Sequence, residues 1–331
     1  MKERMKRKVL VISIAVGLVV LALKIWSVYL TGSVALKSDA LESIVNVVAS
    51  VFALGAVVLA GRPADQGHPY GHGKLENFSA VFEGGLIAVA SALIIHDAIH
   101  KFLVPSEIHS LNLGLVINFT AGAMNGILGW IVMKEGLKFK SKALEADGRH
   151  LLSDFYTTIG VAAGLILMLV TGQSWMDAAI ALFVGLLLAY TGFKIIKDSW
   201  NALMDREDPQ MVGELIETLI RIKPKDVINF HNLKVLRSGS YFYIDLHIVV
   251  PEFYNFRVAH DMSKKFTKTV IEETRMDGEF HTHVDPCDKT YCSNCNIKDC
   301  AIRSYEFVEL PKFTVSDVTA SRSEQLSKLN P

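Results

Sequence analysis

Two segments of the chain place polar side chains at helical spacing within otherwise apolar sequence. In VALKSDALESIVNVVAS, Asp39, Glu42 and Asn46 follow one another at intervals of three and four positions, and in HLLSD Asp154 lies four positions after His150. Residues three or four apart lie on one face of a helix. Charged groups at mid-membrane cost about 2.5–3.5 kcal/mol each, so they persist where they are paired, hydrated or bound to an ion. We predict that the pairs Glu42/Asn46 and His150/Asp154 together bind one divalent cation; the alternative is hydrogen bonding between helices.

The connection RPADQGHPYGHGKLEN offers a second set of ligands. It contains Asp65, His68 and His72 within eight residues. A short loop with this spacing can wrap around a tetrahedral ion, and Zn²⁺ is the usual ion for sets of histidine and carboxylate. The alternative is a polar, glycine-rich turn without a ligand.

A third set lies in the C-terminal third of the chain. A predicted strand alternates its residues, so that Glu279, His281, His283 and Asp285 share one face. His231 and His247, on two other predicted strands, can join that polar face. Neutral histidine is a common metal ligand, which favours a metal site over an ordinary solvated sheet face.

The four cysteines of the chain fall within one short stretch. They are Cys287, Cys292, Cys295 and Cys300, with the spacing Cys-x4-Cys-x2-Cys-x4-Cys. Such clustering favours a metal site in a reducing compartment over a disulfide framework. We interpret it as a zinc knuckle, although an iron–sulfur cluster uses the same ligands and free thiols are a further alternative.

The elements that must position these residues begin with a membrane region. Half of the residues are hydrophobic, and they concentrate in the first two hundred positions. A bilayer core of about 30 Å needs roughly 20 apolar helical residues. The segments that meet this need are 9–30, 34–60, 78–103, 112–134, 146–171 and 175–197. The first is too long for a signal-peptide core, so we expect it to be a retained helix.

Basic residues set the expected orientation. Five of them precede the first segment, and others occupy the connections 61–77 and 135–145. Because cytoplasmic flanks carry the excess of Lys and Arg, both termini are predicted to be cytoplasmic, in a multi-pass protein of the inner (plasma) membrane. A formal net charge of zero gives no indication of a nucleic-acid partner.

A small soluble domain is predicted to follow. Helix 208–222, strands 227–237 and 240–250, helix 256–274 and strand 278–285 give the order αββαβ, an α+β layer structure. The expected division is a transmembrane domain at 1–205, a cytoplasmic domain at 206–286, a cysteine-rich extension at 287–303 and a tail at 304–331. The tail is poor in apolar residues and is predicted to be disordered.

The motifs TGSVALKSDALES, RPADQGHPYGHGKLE, HLLSD and HTHVDPC together resemble the cation diffusion facilitator family of proton-coupled metal exporters, over nearly all of positions 9–287. The resemblance implies a homodimer with six transmembrane helices and a ferredoxin-like cytoplasmic domain. It also implies alternating access, in which the metal exchanges for protons.

The resemblance extends to individual residues. Glu42, Asn46, His150 and Asp154 match the family's transport site, and Asp65, His68 and His72 match its loop site. His231, His247, His283 and Asp285 match a cytoplasmic binuclear site in which His260 corresponds to a bridging ligand. The chain departs from the family where two aspartates are usual and Glu42 and Asn46 stand instead. A neutral amide oxygen could move the preference from Zn²⁺ toward Fe²⁺, Mn²⁺ or Co²⁺.

These observations predict an exporter of divalent transition-metal ions, coupled to protons and without enzymatic activity. One alternative is a membrane-anchored sensor or scaffold that binds metal without moving it. Another is a metalloenzyme in which the loop site activates water, but no nucleophile or acid–base pair accompanies that loop.

Overall fold

The structure is a computed structural model that describes residues 2–104, 110–139, 142–239, 241–298, 300–311 and 313–329. The chain divides into two compact units. The first comprises residues 1–61 and 75–200, and the second comprises residues 62–74 and 201–331.

The first unit is a helical bundle. Its helices are α1 (Lys2–Thr31), α2 (Val34–Ala60), α3 (Lys74–Leu103), α4 (Leu111–Phe139), α5 (Lys142–Thr171) and α6 (Trp175–Leu203). Within the described residues, these six are long and apolar enough to cross a membrane, which confirms the predicted count. Several of them extend beyond the predicted spans because polar turns continue the helix past its apolar stretch.

The N-terminus of α2 is held by a side chain from α6. Oδ1 of Asp177 accepts hydrogen bonds from the Ser33 hydroxyl (2.5 Å) and the Ala35 amide (3.1 Å), and Oδ2 accepts from the Val34 amide (2.9 Å). Lys101 Nζ lies 3.2 Å from the same carboxylate. The first amides of a helix have no partner within it, so this buried carboxylate satisfies them and fixes where α2 begins.

Helices α4 and α5 approach closely at two glycines. A Cβ on Gly148 would lie 2.4 Å from the backbone nitrogen of Met133, and one on Gly129 would lie 2.9 Å from the Gly148 carbonyl oxygen. Only glycine allows such an approach of two backbones. The contact positions the turn of α5 that carries His150.

The second unit contains a three-stranded sheet with helices. Its elements α7 (Pro209–Ile222), β1 (Asn229–Ser238), β2 (Tyr241–Val250), α8 (Phe256–Thr274) and β3 (Gly278–Pro286) confirm the predicted order αββαβ. The strand order is β1-β2-β3, with β1 and β2 antiparallel and β2 and β3 parallel. Buried residues such as Leu219, Phe230, Leu246 and Phe266 form its core.

The C-terminal tail differs from the predicted disordered segment. It forms two short helices, α9 (Val315–Thr319) and α10 (Arg322–Leu329). Val318 is fully buried in the core of the second unit. The side-chain amide of Gln325 donates a hydrogen bond to the Phe230 carbonyl oxygen (2.8 Å). The backbone amide of Asn232 donates one to the Ala320 carbonyl oxygen (2.8 Å). The tail is ordered because it satisfies polar groups of the edge strand β1, a role that low hydrophobicity does not reveal.

Candidate metal centre

Three of the four predicted intramembrane ligands contact one another directly between α2 and α5. Asn46 Nδ2 donates to Asp154 Oδ2 (2.5 Å), and Asn46 Oδ1 lies 2.9 Å from His150 Nε2. His150 Nε2 is also 3.8 Å from Asp154 Oδ1. Glu42, one turn before Asn46 on α2, is buried and lines the same cavity as these three residues. The structure thus brings the two predicted pairs together.

Two carboxylate oxygens in this cluster lack a partner. Within the part of the chain that the structure describes, Glu42 Oε2 and Asp154 Oδ1 are buried without a hydrogen bond. A buried polar atom without a partner is costly, and for a carboxylate a cation or a proton relieves that cost. The arrangement therefore suits a divalent cation that exchanges with protons.

The cluster lies between two cavities. One of about 510 Å³ is lined by residues of α2, α3, α5 and α6, including Glu42 and His150. The other, of about 340 Å³, is lined by residues of α1, α2, α4 and α5, including Ser13 and Asn125. Asn46 and Asp154 line both cavities. An ion held by these two residues is therefore adjacent to both spaces.

Asp39 belongs to a different network from the ligands with which it shares a helical stripe. Lys24 Nζ of α1 donates to Asp39 Oδ1 (2.7 Å), and Asn118 Nδ2 of α4 donates to Oδ2 (2.8 Å). The hydroxyl of Thr158 lies 3.2 Å from Oδ2. Lys24 was not predicted from the sequence as a functional residue. The feature that could have identified it is its position as a lone cation inside the apolar segment 9–30.

The loop between α2 and α3 brings its three predicted ligands together. Asp65 Oδ1 is 3.4 Å from His68 Nδ1, and Oδ2 is 3.5 Å from His72 Nε2. Asp65 also accepts the backbone amides of His68 (2.8 Å) and Gly67 (2.9 Å). The His68 amide is the main reason that the pKa of Asp65 lies below its usual value. Oxygen and nitrogen atoms converge here within the distance that one ion can span.

The sheet of the second unit assembles the third set. In the register of the strands His231 pairs with His247, and His247 pairs with His283. Asp285 Oδ2 lies 3.1 Å from His231 Nε2 and 3.0 Å from His247 Nδ1. The His231 approach lacks hydrogen-bonding geometry, and within the described residues both ring nitrogens of His231 are buried without a hydrogen bond. One ligand atom from each of His231, His247 and Asp285 lies within 4.8 Å of the other two. This convergence is that of a ligand set.

His283 and His260, the other two histidines predicted for this set, are both exposed. His283 is exposed, 3.7 Å from Asp285 Oδ1, with its ring 4.6 Å from that of His247. It borders the cluster. His260 lies on the exposed surface of α8, where its ring stacks on Phe256, and within the described residues it is not among the groups that could hold an ion.

A residue of the tail that sequence reasoning missed reaches this cluster. Arg322 Nη1 donates to Asp285 Oδ1 (3.1 Å), and Nη2 donates to the Pro286 carbonyl oxygen (3.0 Å). The guanidinium therefore places a positive charge on the carboxylate that His231 and His247 also approach. No spacing in the sequence relates Arg322 to the strand.

The buried histidine predicts a pH dependence of stability. Burial lowers the pKa of His231 to about 4, against an ordinary value of 6.5, while Asp285 opposes the shift. Below pH 6.5 the unfolded chain binds a proton at this residue before the folded chain does. In chelator-treated protein we expect the stability of β1 to be greatest above pH 6.5 and to fall as the pH falls toward 4. Hydrogen exchange of the β1 amides, corrected for intrinsic rates, measures it.

The matched variants of this experiment are His231→Gln and His281→Gln. The first removes the buried imidazole and should flatten the pH dependence. The second removes an exposed imidazole of the same unit and should leave it unchanged. An equal slope in the wild type and His231→Gln would contradict the assignment.

The four cysteines line one cavity of about 390 Å³. Cys292 belongs to a short 3₁₀ helix, Lys289–Asn294, and is buried, as is Cys295. Cys287 and Cys300 are half-buried. Burial is the main reason that the pKa of the Cys287 thiol is raised. All four cysteines are described, and none forms a disulfide.

Comparison with known proteins accounts for most of the chain. Residues 10–204 match the cation efflux transmembrane domain, and residues 208–287 match the cytoplasmic domain of cation efflux proteins, a dimerisation domain. This second match confirms the predicted homodimer.

Three similar curated proteins carry the names of transporters. An uncharacterized transporter of Synechocystis is 35% identical over 288 residues, which cover 87% of this chain and 93% of that protein. The manganese efflux system protein MneP of Bacillus subtilis is 24% identical, with 86% and 97% covered. The cadmium, cobalt and zinc/H(+)-K(+) antiporter of Bacillus subtilis is 26% identical, with 85% and 92% covered.

The apolar helices, the polar cluster between α2 and α5 and the two domain matches agree with one another. The protein is a multi-pass membrane protein, and the sequence resemblance is confirmed. This chain belongs to the cation efflux family, the cation diffusion facilitators, and is a transporter of divalent metal cations rather than an enzyme.

Proposed function

We propose that the protein exports a divalent transition-metal ion from the cytoplasm across the inner (plasma) membrane in exchange for protons, with both termini cytoplasmic. One observation carries the proposal: two buried carboxylate oxygens, on Glu42 and Asp154, have no hydrogen bond among the described residues, and both side chains line one cavity with His150 and Asn46. That set offers three oxygen ligands and one nitrogen ligand.

The exchange follows from competition for the same lone pairs. A bound cation replaces the hydrogen bonds that Asn46 makes with Asp154 and His150. Protons return to the two carboxylates and the imidazole when the ion leaves, because the Asn46 amide does not take up a proton near neutral pH. Among the four proposed ligands, Glu42, Asp154 and His150 therefore set the proton stoichiometry.

The ligand set suits more than one metal. Zn²⁺ is the first candidate because it accepts histidine and carboxylate ligands, and the amide oxygen of Asn46 widens the choice to Mn²⁺, Fe²⁺ and Co²⁺. The names of two relatives include three of these metals, manganese for one, and cobalt and zinc together with cadmium for the other. We propose that the loop cluster (Asp65, His68 and His72) and the strand cluster (His231, His247 and Asp285) bind the same ion from the cytoplasm and favour transport when it is abundant.

Reconstituted vesicles test this proposal. Purified protein in vesicles with a metal-sensitive dye and a pH-sensitive dye inside is supplied with Zn²⁺, Mn²⁺, Fe²⁺ or Co²⁺. We expect accumulation of at least one metal, with protons moving the opposite way and faster transport under an opposing pH gradient. Binding without accumulation would identify a sensor and overturn the transport proposal. Accumulation that ignores the pH gradient would overturn the proton coupling.

Arg322 should weaken metal binding at the strand cluster. Its guanidinium occupies Asp285 Oδ1, so an ion that uses this oxygen must displace it. We expect Arg322→Gln to tighten binding at this cluster by roughly 3–10-fold, the effect of about 1 kcal/mol from a partly buried ion pair. Competition with a chelating dye measures the affinity, in an Asp154→Asn background that removes the membrane site.

The control is Arg221→Gln. This arginine makes an exposed ion pair with Glu273, on other elements of the same unit, and its loss should not change the affinity. Equal affinities in Arg322→Gln and Arg221→Gln would show that Arg322 does not compete with the ion.

A further inference from the structure

We propose that Cys287, Cys292, Cys295 and Cys300 form a tetrathiolate centre that binds a resident thiophilic metal, distinct from the histidine and carboxylate clusters and from the transported ion. The centre would lie in the second unit, directly after β3. The shared chemistry is four sulfur ligands, which suit a zinc ion or an iron–sulfur cluster.

The four cysteines line one cavity from the end of β3, the 3₁₀ helix and the segment after it. Their sulfurs are not among the described groups whose ligand atoms all lie within 4.8 Å of one another, so an ion bound here would draw them closer together. Intervals of four, two and four residues separate the cysteines, yet all of them line the same space of about 390 Å³. The apolar side chains of Ile228, Ile297 and Ile302 also line it. Charged residues such as Glu252 and Arg303 line the rest of the cavity, and two of the four cysteines, Cys292 and Cys295, are buried.

Backbone amides already point at two of the sulfurs. The Glu252 amide donates to Cys287 Sγ (3.4 Å), and the Ser304 amide donates to Cys292 Sγ (3.5 Å). A hydrogen bond from an amide favours the charged form of its acceptor, which for cysteine is the thiolate that binds metal. These donors come from outside the cysteine loops, so the surrounding fold is arranged for the sulfurs.

Two half-buried cations, Arg303 and Lys223, lie beside the cysteines. Arg303 donates to the carbonyl oxygens of Cys292 (3.1 Å), Cys295 (2.9 Å) and Ile297 (2.6 Å). Lys223 lies close enough to Cys295 for the two side chains to interact electrostatically. Four thiolates around a divalent ion carry a net negative charge, and two neighbouring cations offset it.

The cysteine-rich extension, residues 287–303, has too little apolar packing to keep its four cysteines at one cavity by itself. Apart from the 3₁₀ helix it has no regular structure between β3 and α9 in the described residues. Its local core consists of Tyr291 and Cys295 packed on Ile228 and Val249, with a few partly buried neighbours. Metal binding supplies folding free energy where a core is this small.

The centre would also fix the end of β3. Cys287 follows Asp285 by two residues, and its amide donates to the Val250 carbonyl oxygen (2.8 Å). A metal bound at Cys287 would therefore restrain the strand that carries Asp285. This gives the cysteines a positioning role for the neighbouring strand cluster.

Metal analysis of the full-length protein tests the proposal. Protein purified without added metal, under anaerobic conditions, is assayed for zinc, iron and inorganic sulfide. We expect Cys292→Ser and Cys295→Ser each to lose the metal that the wild type retains, while Ser293→Ala, between them in sequence, keeps it. Zinc alone would identify a zinc centre, and iron with sulfide would identify a cluster; either supports the site. Unchanged metal content in both cysteine variants would overturn it.

A measurement on the wild type covers the case in which the serine variants fail to fold. The four thiols should resist a thiol reagent until a strong chelator is added, and should then react as the metal is released. Thiols that react at once, or that are found as disulfides, would overturn the proposal. The Asp154→Asn variant should keep the cysteine-bound metal, which separates this result from failure of the transport proposal.

Discussion

Replacement of Asp154 by asparagine is expected to abolish metal transport while the protein stays folded. The carboxylate is buried between α2 and α5, accepts a hydrogen bond from Asn46 and has a second oxygen without a partner. Asparagine keeps the shape but removes both the negative charge and the proton-accepting group. Loss of an outer-shell partner already costs roughly 10–100-fold in metal affinity, so loss of a ligand should cost more than about 100-fold.

Initial rates of metal uptake and of proton release in vesicles measure this effect. Asp97→Asn is the matched control, because Asp97 lies in the same unit but pairs with Lys37 at a more exposed position. The control should transport at the wild-type rate. Transport by Asp154→Asn at that same rate would remove Asp154 from the site and leave the proposed mechanism without its main ligand.

The second large effect is expected at Lys24, and it concerns stability. The Lys24 and Asp39 side chains are both fully buried, with 2.7 Å between Nζ and Oδ1. Among the described residues, Lys24→Met leaves the Asp39 carboxylate with the neutral donors Asn118 and Thr158. Removal of one partner of a buried ion pair costs about 3–5 kcal/mol, and we expect a loss of this size.

A double-mutant cycle separates this interaction from a simple loss of packing. Asp39→Asn in the Lys24→Met background removes the unpaired charge and should recover much of the lost stability. Denaturation in detergent micelles, followed by the loss of helical signal, measures each variant. A double variant no more stable than Lys24→Met alone would show that the charge pair is not the cause.

Local sequence patterns were sufficient to predict the helices and strands, and also which polar side chains contact one another between α2 and α5. The six apolar segments and the order αββαβ follow from periodicity, which is a local property of each segment. The i, i+4 pairs on α2 and α5 are local too, and they contact each other because both are the polar face of their helix. The same holds for His231 and His247, which share the polar face of their strands.

The remaining features depend on contacts between residues that are far apart in the sequence, and local patterns do not predict such contacts. Spacing puts Asp39 on the stripe of Glu42 and Asn46, and only the position of Lys24 on α1 shows that Asp39 belongs to another network. The tail was predicted to be disordered from its composition, since Gln325 and Arg322 act through hydrogen bonds to distant backbone and side-chain atoms. His260 was carried over from the family motif, and its role stays a prediction, since it is exposed on α8 and is not among the described groups of converging ligand atoms.

The carboxylate of Asp177 at the start of α2 limits how the transporter can change shape. If α2 slid or tilted alone, the amides of Val34 and Ala35 would lose their acceptor inside the protein. The low-energy alternative is for α2 and α6 to travel together, with their junction as a fixed pivot. A change from an inward-facing to an outward-facing state that moves Glu42 and Asn46 should therefore keep the contact between Asp177 and the start of α2. The ligands on α5, His150 and Asp154, would then move relative to α2.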